Sequence, residues 1–356
     1  MNIMIMKLNE RIDARMAILE YFPGANTPKG FYSYYDYILK SREAKRIIVL
    51  KGGPGTGKST FMKKIAKHIS SLGYETEILH CSSDPNSLDG VCAREIGFLI
   101  LDGTAPHIVD PKCPGAIDEI INLGECWDKE KIMKNKDDVI KINEMISSYF
   151  DDAYKYLAAA KSLQLQTEPS NMNYIRYELE KLKNKIMLEK TGDITGYERK
   201  AFLSAFTPLG RLNYSDTFAE KSECVYKVKA KHWKTAQLFM KYLAEMFKYN
   251  GYDIRTFYCP MSPDEKIDHI YVNDMFFTVE NDYHGTDCDD YVIDLNDESK
   301  PSCLDTEQYN ILLEKAEDKI KAAKKLHDKL EENYVPYMNF DKVGALCESV
   351  IKSIKK

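Results

Sequence analysis

Ile47-Ile48-Val49-Leu50-Lys51-Gly52-Gly53-Pro54-Gly55-Thr56-Gly57-Lys58-Ser59-Thr60 is the stretch on which the reading of this chain turns. An apolar run leads into Gly52 to Ser59, a complete GxxxxGK[ST] pattern. Phe61, Ile65, Ile69 and Leu72 then recur at helical spacing before Gly73, which supplies a left-handed stop. Strand, glycine loop and helix stand in the order that phosphate binding requires. The glycines let successive backbone N–H groups turn inward toward phosphate oxygens, and the helix adds its positive end. Lys58 is spaced to reach the β- and γ-phosphates, and the Ser59 hydroxyl to ligate Mg²⁺. Nucleotide contacts are therefore expected from Gly52, Gly53, Pro54, Gly55, Thr56, Gly57, Lys58, Ser59 and Thr60, with ATP and Mg²⁺ as the ligands. The bland alternative is a retained loop that no longer turns nucleotide over.

Comparing the chain with itself reveals a duplication. Phe22 to Asp36 matches Phe202 to Asp216 at seven of fifteen positions, among them Thr27-Pro28-x-Gly30 against Thr207-Pro208-x-Gly210. At an offset of 178, residues 58 to 85 align without gaps on 236 to 263 with eight identities, including Phe61/Phe239, Gly73/Gly251 and Cys81/Cys259. The polar stretch Thr191 to Gly196 separates an active repeat, 16 to 190, from a degenerate one, 197 to 356; residues 1 to 15 read as a possible N-terminal extension. The same offset lays the phosphate loop on Ala230 to Gln237. There Gly52, Gly57 and Lys58 become Ala230, Thr235 and Ala236, and Trp233 replaces Gly55, so a single nucleotide site per chain is expected.

The expected fold class is α/β: two repeats, each a three-layer α/β/α unit around a mainly parallel sheet, with helical appendages. Ile47 to Leu50 suits a strand covered on both faces, whereas Val225 to Lys231 alternates lysines with apolar residues and fits less cleanly. Decay to a more exposed strand with a solvated lysine face explains that alternation. So does a basic patch of Lys227, Lys229, Lys231, Trp233 and Lys234 for an anionic partner. Lys129 to Leu188 and Glu307 to Leu330 are charged and helically spaced, and read as appendages that pack the repeats together.

With 356 residues, 29% charged and a net charge of −5, the chain shows no global bias toward nucleic acid or membrane. Its apolar runs are too short to span a bilayer, and nine scattered cysteines suggest reduced thiols, so a cytoplasmic location is expected.

Glu75 to Cys81 reads as a second strand and Ile96 to Asp102 as a third. An apolar strand ending in an acid suits Asp102 to the Mg²⁺ shell opposite Ser59, although an aspartate capping the Gly103 to Pro106 turn has the same look. The counterpart in the second repeat is Glu280. No glutamate follows Asp102 to orient a water, since Gly103 stands there. The groups considered for a catalytic base are Asp84 and Asp89, in the polar turn Ser82 to Asp89, together with Glu95 and His107. Each of the two aspartates equally suits a turn-forming role. His107 with Cys113, echoed by His284 and Cys288, is more simply shared ancestry than a metal pair.

Thr27-Pro28-x-Gly30, Gly52 to Thr60, His80-Cys81-Ser82-Ser83-Asp84, Leu88-Asp89-Gly90 and Leu101 to His107 together resemble a family of tandem P-loop ATPases from spore-forming and related low-GC Gram-positive bacteria. The resemblance covers almost the whole chain and implies ATP binding without naming a substrate. It also implies that the second repeat can carry a phosphate loop, from which this sequence departs. Three functions are consistent with these residues. One is an ATPase in which γ-phosphate state alters the contact between repeats, completed by a basic residue such as Arg211, Arg255 or Lys234. The others are a small-molecule kinase and a nucleotide-sensing interaction protein with little turnover.

Overall fold

The computed structural model describes residues 18–105, 108–163, 172–192, 194–279, 291–295 and 306–355. In the first half, β1 (Ile18–Tyr21), a hairpin of β2 (Gly24–Thr27) and β3 (Gly30–Ser33), β4 (Arg46–Lys51), β5 (Thr76–Cys81), β6 (Asp84–Ala93), β7 (Phe98–Asp102) and β8 (Asp118–Asn122) surround helix α1 (Lys58–Ser71). The second half repeats the plan. It holds β9 (Glu198–Ala201), hairpin strands β10 (Ser204–Thr207) and β11 (Gly210–Asn213), β12 (Cys224–Lys229), β13 (Ile254–Cys259), β14 (Ser262–Val272), β15 (Met275–Val279) and β16 (Tyr291–Asp294). Its first-layer helix runs over Trp233–Tyr249.

Each half forms one six-stranded sheet, in the orders β1-β5-β6-β7-β4-β8 and β9-β13-β14-β15-β12-β16, so the duplication read from sequence is a duplication of topology. The sheets are mixed but mainly parallel, as expected, with one strand reversed in each. β6 runs antiparallel to both β5 and β7, while β1 with β5, β7 with β4 and β4 with β8 are parallel. Of the polar turn expected over Ser82 to Asp89, Ser82 and Ser83 make the turn and Asp84 onward is the start of a strand. Asp84–Ala93 pairs with β5 through register shifts around His80, and the same shifts recur around Tyr258 in the second repeat. A bulge accommodates turn-like residues without ending the ladder.

Four longer helices complete the chain: α2 (Lys136–Ser162), α3 (Met172–Lys185), α5 (Thr306–Glu331) and α6 (Phe340–Ser353), with Trp233–Tyr249 taken as α4. Their packing crosses the sequence division. Ile175, Leu179 and Leu182 of α3, from the first half, join the core of the second sheet with Phe239, Leu243 and Phe247. Reciprocally, Val343, Cys347 and Val350 of α6 join Phe61, Met62, Ile65 and Ile69 over the first sheet. Each repeat thus lends its last helix to the other. Burying an aliphatic side chain there is worth about 1.5–3 kcal/mol, so neither sheet keeps its full core without the other half of the chain.

A pseudo-twofold axis relates the halves. Phe22 and Phe202, equivalent residues, exchange backbone hydrogen bonds of 2.8 and 3.0 Å across it. Such self-pairing of equivalent residues is the signature of an isologous interface. Near the axis, α2 and α5 pack on each other through Ala153, Leu157, Leu313, Ala316 and Ile320.

The lysine-bearing strand departs from expectation. β12 is central, paired with β15 and β16, and Lys227 is only 7% exposed. Lys231 is exposed and Lys234 half-buried, so the lysines do not form one solvated face.

Candidate functional site

Local chemistry builds the loop between β4 and α1. Gly55 and Gly57 take left-handed φ values of 67° and 87°, a region that favours glycine. Thr56, 1% exposed, donates to the Gly53 carbonyl at 2.9 Å and pins the curl. Gly57 is the N-cap of α1, with no side-chain cap, and the first turn carries no acid. The helix therefore begins with backbone donors that no side chain of its own satisfies, an anion-accepting end.

Lys58 crosses the mouth of the loop. Its ammonium donates to the carbonyls of Gly52 at 2.8 Å and Gly53 at 2.9 Å, and lies 3.6 Å from Asp102 Oδ2. Asp102 performs the capping task considered for it and also faces the loop lysine. Oδ1 accepts from the Thr104 amide at 2.8 Å and caps the turn, while Oδ2 faces Lys58. Thr104 Oγ1 also donates to the Gly52 carbonyl at 2.9 Å, tying the end of β7 to the start of the loop. Ser59 Oγ accepts from the Leu88 amide at 3.2 Å, which fixes the hydroxyl at the head of β6. Lys58, Ser59 and Asp102 are thus gathered where sequence placed them.

The other candidate acids are engaged elsewhere. Asp84 accepts from the Asn86 amide and the Ser87 hydroxyl, the turn role considered for it, and its Oδ2 lies 3.2 Å from Lys324. Asp89 is 2% exposed and accepts from Tyr35 Oη at 2.8 Å. Glu95 lies in a short 3-10 turn after β6. His107, Glu280, His284 and Cys288 lie outside the described residues, and no metal-binding cluster of His, Cys, Asp and Glu occurs among the described ones.

Local motif reading did not reveal what covers the loop, because the cover comes from the far end of the chain. A Cβ on Gly55 would meet Val335 Cγ2 at 2.6 Å, and one on Gly53 would meet Tyr334 at 3.2 Å and Trp127 at 3.4 Å. Trp127 and Tyr334 pack ring to ring at 5.8 Å. The segment is stitched down by backbone bonds from Asp128 to Tyr337 and from Asn339 to Cys126. Upstream on α5, Lys324 reaches Asp84, and His327 lies 3.7 Å from Glu331. Burial pushes the His327 imidazole below its ordinary value, so it favours the neutral form. The basic residues considered for completing the site lie elsewhere: Arg211 pairs with Glu317 at 3.1 Å, and Arg255 with Glu77 at 2.9 Å. Lys324 instead reaches the head of β6 from the second repeat. The signal for it was the repeat itself, since Lys161 of α2 makes the equivalent approach to Ser262 of the second repeat, the counterpart of Asp84.

The second repeat has no such loop. α4 starts at Trp233, whereas the equivalent of Lys58 is Ala236, so helix occupies the last positions of the former loop. Ile267 stands at the counterpart of Leu88, the two pairing with the equivalent residues Tyr258 and His80, and beside it Lys266 lies 2.9 Å from Asp268. Burial opposes its charge, but Asp268 outweighs burial and keeps it protonated.

Alanine at Gly55 must adopt the same φ of 67° and clash with Val335. We expect a loss of about 1–2 kcal/mol in urea unfolding and weaker nucleotide binding by titration calorimetry. Unchanged values in both measurements would show that this backbone geometry is not required.

Comparisons with protein-family models, curated proteins and solved structures give no match for this chain. No helix among the described residues is long and apolar enough to cross a membrane.

Proposed function

We propose that the chain is a Mg²⁺-dependent ATPase with one nucleotide site, in the first repeat, and that the second repeat reads the state of that site. The observation that carries this reading is Lys58 held between the Gly52 and Gly53 carbonyls and Asp102, in front of an uncapped helix N-terminus. Polyphosphate fits such a cradle, because the orphan amides and the ammonium converge on one anion. Ser59 and Asp102 would hold Mg²⁺, which would spread the negative charge of the β- and γ-phosphates when bound. The placement supports the resemblance to tandem P-loop ATPases, and family membership is part of the proposal.

The second repeat supplies the read-out. Tyr334 and Val335 rest on the loop glycines, and Lys324 reaches Asp84 at the head of β6. A change in loop occupancy is therefore transmitted directly to the end of α5 and the start of α6. A second reading, a nucleotide sensor with little turnover, draws on two observations. The loop is covered, and Asp84 and Asp89 are both tied to partners.

Product analysis with labelled ATP and Mg²⁺ decides between them. Inorganic phosphate as the labelled product supports the ATPase. Binding without release faster than the Lys58→Ala background supports the sensor, and label on a metabolite from cell extract points to a kinase. For Lys324→Ala we expect about a tenfold fall in phosphate release with little change in unfolding midpoint. Unaltered release would remove Lys324 from the site.

A further inference from the structure

The glycine loop has two unlike sides. β4 lies between β7 and β8 in the first sheet, so Asp102 at the end of β7 stands on one side of the loop and the chain leaving β8 toward Trp127 stands on the other. The β7 side carries the charges already described, Lys58 and Asp102. The β8 side carries an apolar wall. Trp127 of the first repeat and Tyr334 of the second pack ring to ring at 5.8 Å beside Gly53, and Val335 rests on Gly55. Phe340 continues the wall, 3.6 Å from where a Cβ on Gly57 would stand.

The wall is open to solvent. Both rings are half-buried, and Val335 and Phe340 are 40% and 46% exposed. Solvent-facing apolar groups gathered beside an anion cradle suit a ligand that is charged at one end and apolar at the other. Gly53 points the same way. It fills a variable position of the GxxxxGK[ST] pattern and is not among the glycines with left-handed φ, so backbone conformation does not call for glycine there. A Cβ would crowd Tyr334 at 3.2 Å and Trp127 at 3.4 Å, so the bare backbone is what admits the two rings to the loop. The rings are also held in place. Trp127 and Met338 form an antiparallel bridge, with the Asp128 amide donating to Tyr337 at 2.9 Å and the Asn339 amide to Cys126 at 2.7 Å. Aromatic faces fixed in this way lose little freedom on receiving a planar partner.

We propose that Trp127 and Tyr334 are the nucleobase platform of the site. A nucleotide with its phosphates in the loop lays its base on the solvent-facing side of the ring pair, bounded by Val335 and Phe340. The inference rests on the nucleotide reading above and extends it: because one ring comes from each repeat, the second repeat touches the nucleotide itself.

The test titrates the full chain, in Mg²⁺, with ATP and with inorganic tripolyphosphate, which carries the charges without a base. Wild type should bind ATP about tenfold more tightly than tripolyphosphate, the effect of one base–aromatic stack. Trp127→Leu keeps an apolar side chain and removes the ring face. In it ATP should weaken by about tenfold, with tripolyphosphate binding and the urea midpoint little changed, and Trp127→Phe should recover most of the loss. The chain has two tryptophans, so in a Trp233→Phe background the emission is that of Trp127 alone. ATP should quench it and tripolyphosphate should not. Equal affinity for the two ligands in wild type, or equal losses of both in Trp127→Leu, would overturn the platform and leave the phosphate loop standing. A wild type that binds neither ligand would overturn the nucleotide reading, and the platform with it.

Discussion

If the proposed ATPase reading holds, Lys58→Ala is expected to lower phosphate release from Mg·ATP by about 10²–10³-fold, the loss seen when one preorganised donor is taken from a developing anion. The structure makes the reason local. In the folded chain the Lys58 ammonium is already positioned by the Gly52 and Gly53 carbonyls and faces Asp102. It would meet phosphate charge by exchanging one of these partners at the mouth of the loop, and alanine offers no substitute. The side chain is only part-buried, and its hydrogen bonds lie within the loop, so the unfolding midpoint should shift little. Phosphate release and urea unfolding are to be measured together on the same preparation. Turnover that persists in the variant would remove the loop from the reaction, whatever its conformation.

Glu77→Gln is expected to produce the largest loss of stability, about 3 kcal/mol at neutral pH. Glu77 of β5 and Arg255 of β13 occupy equivalent positions in the two repeats, and they meet across the seam at 2.9 Å. Burial alone would raise the Glu77 carboxyl, but Arg255 and Arg94 outweigh burial and hold it at about 2, against an ordinary 4.5. A carboxyl depressed in the fold stabilises fully above its unfolded value. That contribution fades as pH falls from 4.5 toward about 2, because the unfolded chain takes up the proton first. The difference between wild type and Glu77→Gln should therefore be largest at pH 7 and shrink steadily below that window's upper edge. Urea titrations across this range check it. A glutamine variant as stable as wild type at pH 7, or a gap that does not narrow in acid, would refute the role assigned to this pair.

What local sequence could reveal was the part of the fold that local sequence makes. Ile47 to Leu50, the loop glycines and the Phe61 to Leu72 periodicity specify strand, turn and helix over neighbouring residues, and each stands as read. The duplication was equally legible, since the hairpin Thr27 donates to Gly30 at 2.7 Å and its counterpart Thr207 donates to Gly210 at 2.7 Å. β6 was not. Pro85, Asn86, Asp89 and Gly90 speak for a turn, and only antiparallel partners on both sides, with a bulge to absorb the mismatch, make them a strand. The same holds for Lys227, whose charged side chain suggested solvent until flanking strands enclosed it.

The site divides along the same line. The sequence by itself determined a glycine loop with Lys58 and Ser59 at the helix start and Asp102 at a strand end, because their positions follow from a strand, a turn and a helix start. Tertiary structure alone decided the exchange of α3 and α6 between repeats, the cover of Tyr334 and Val335 on the loop, and the approach of Lys324 to Asp84. An amphipathic helix displays the same periodic stripe whichever sheet it covers. Its partner is set by loop reach, the complementarity of two preformed surfaces and the pseudo-twofold relation of the halves, and none of these is written in the spacing of its residues.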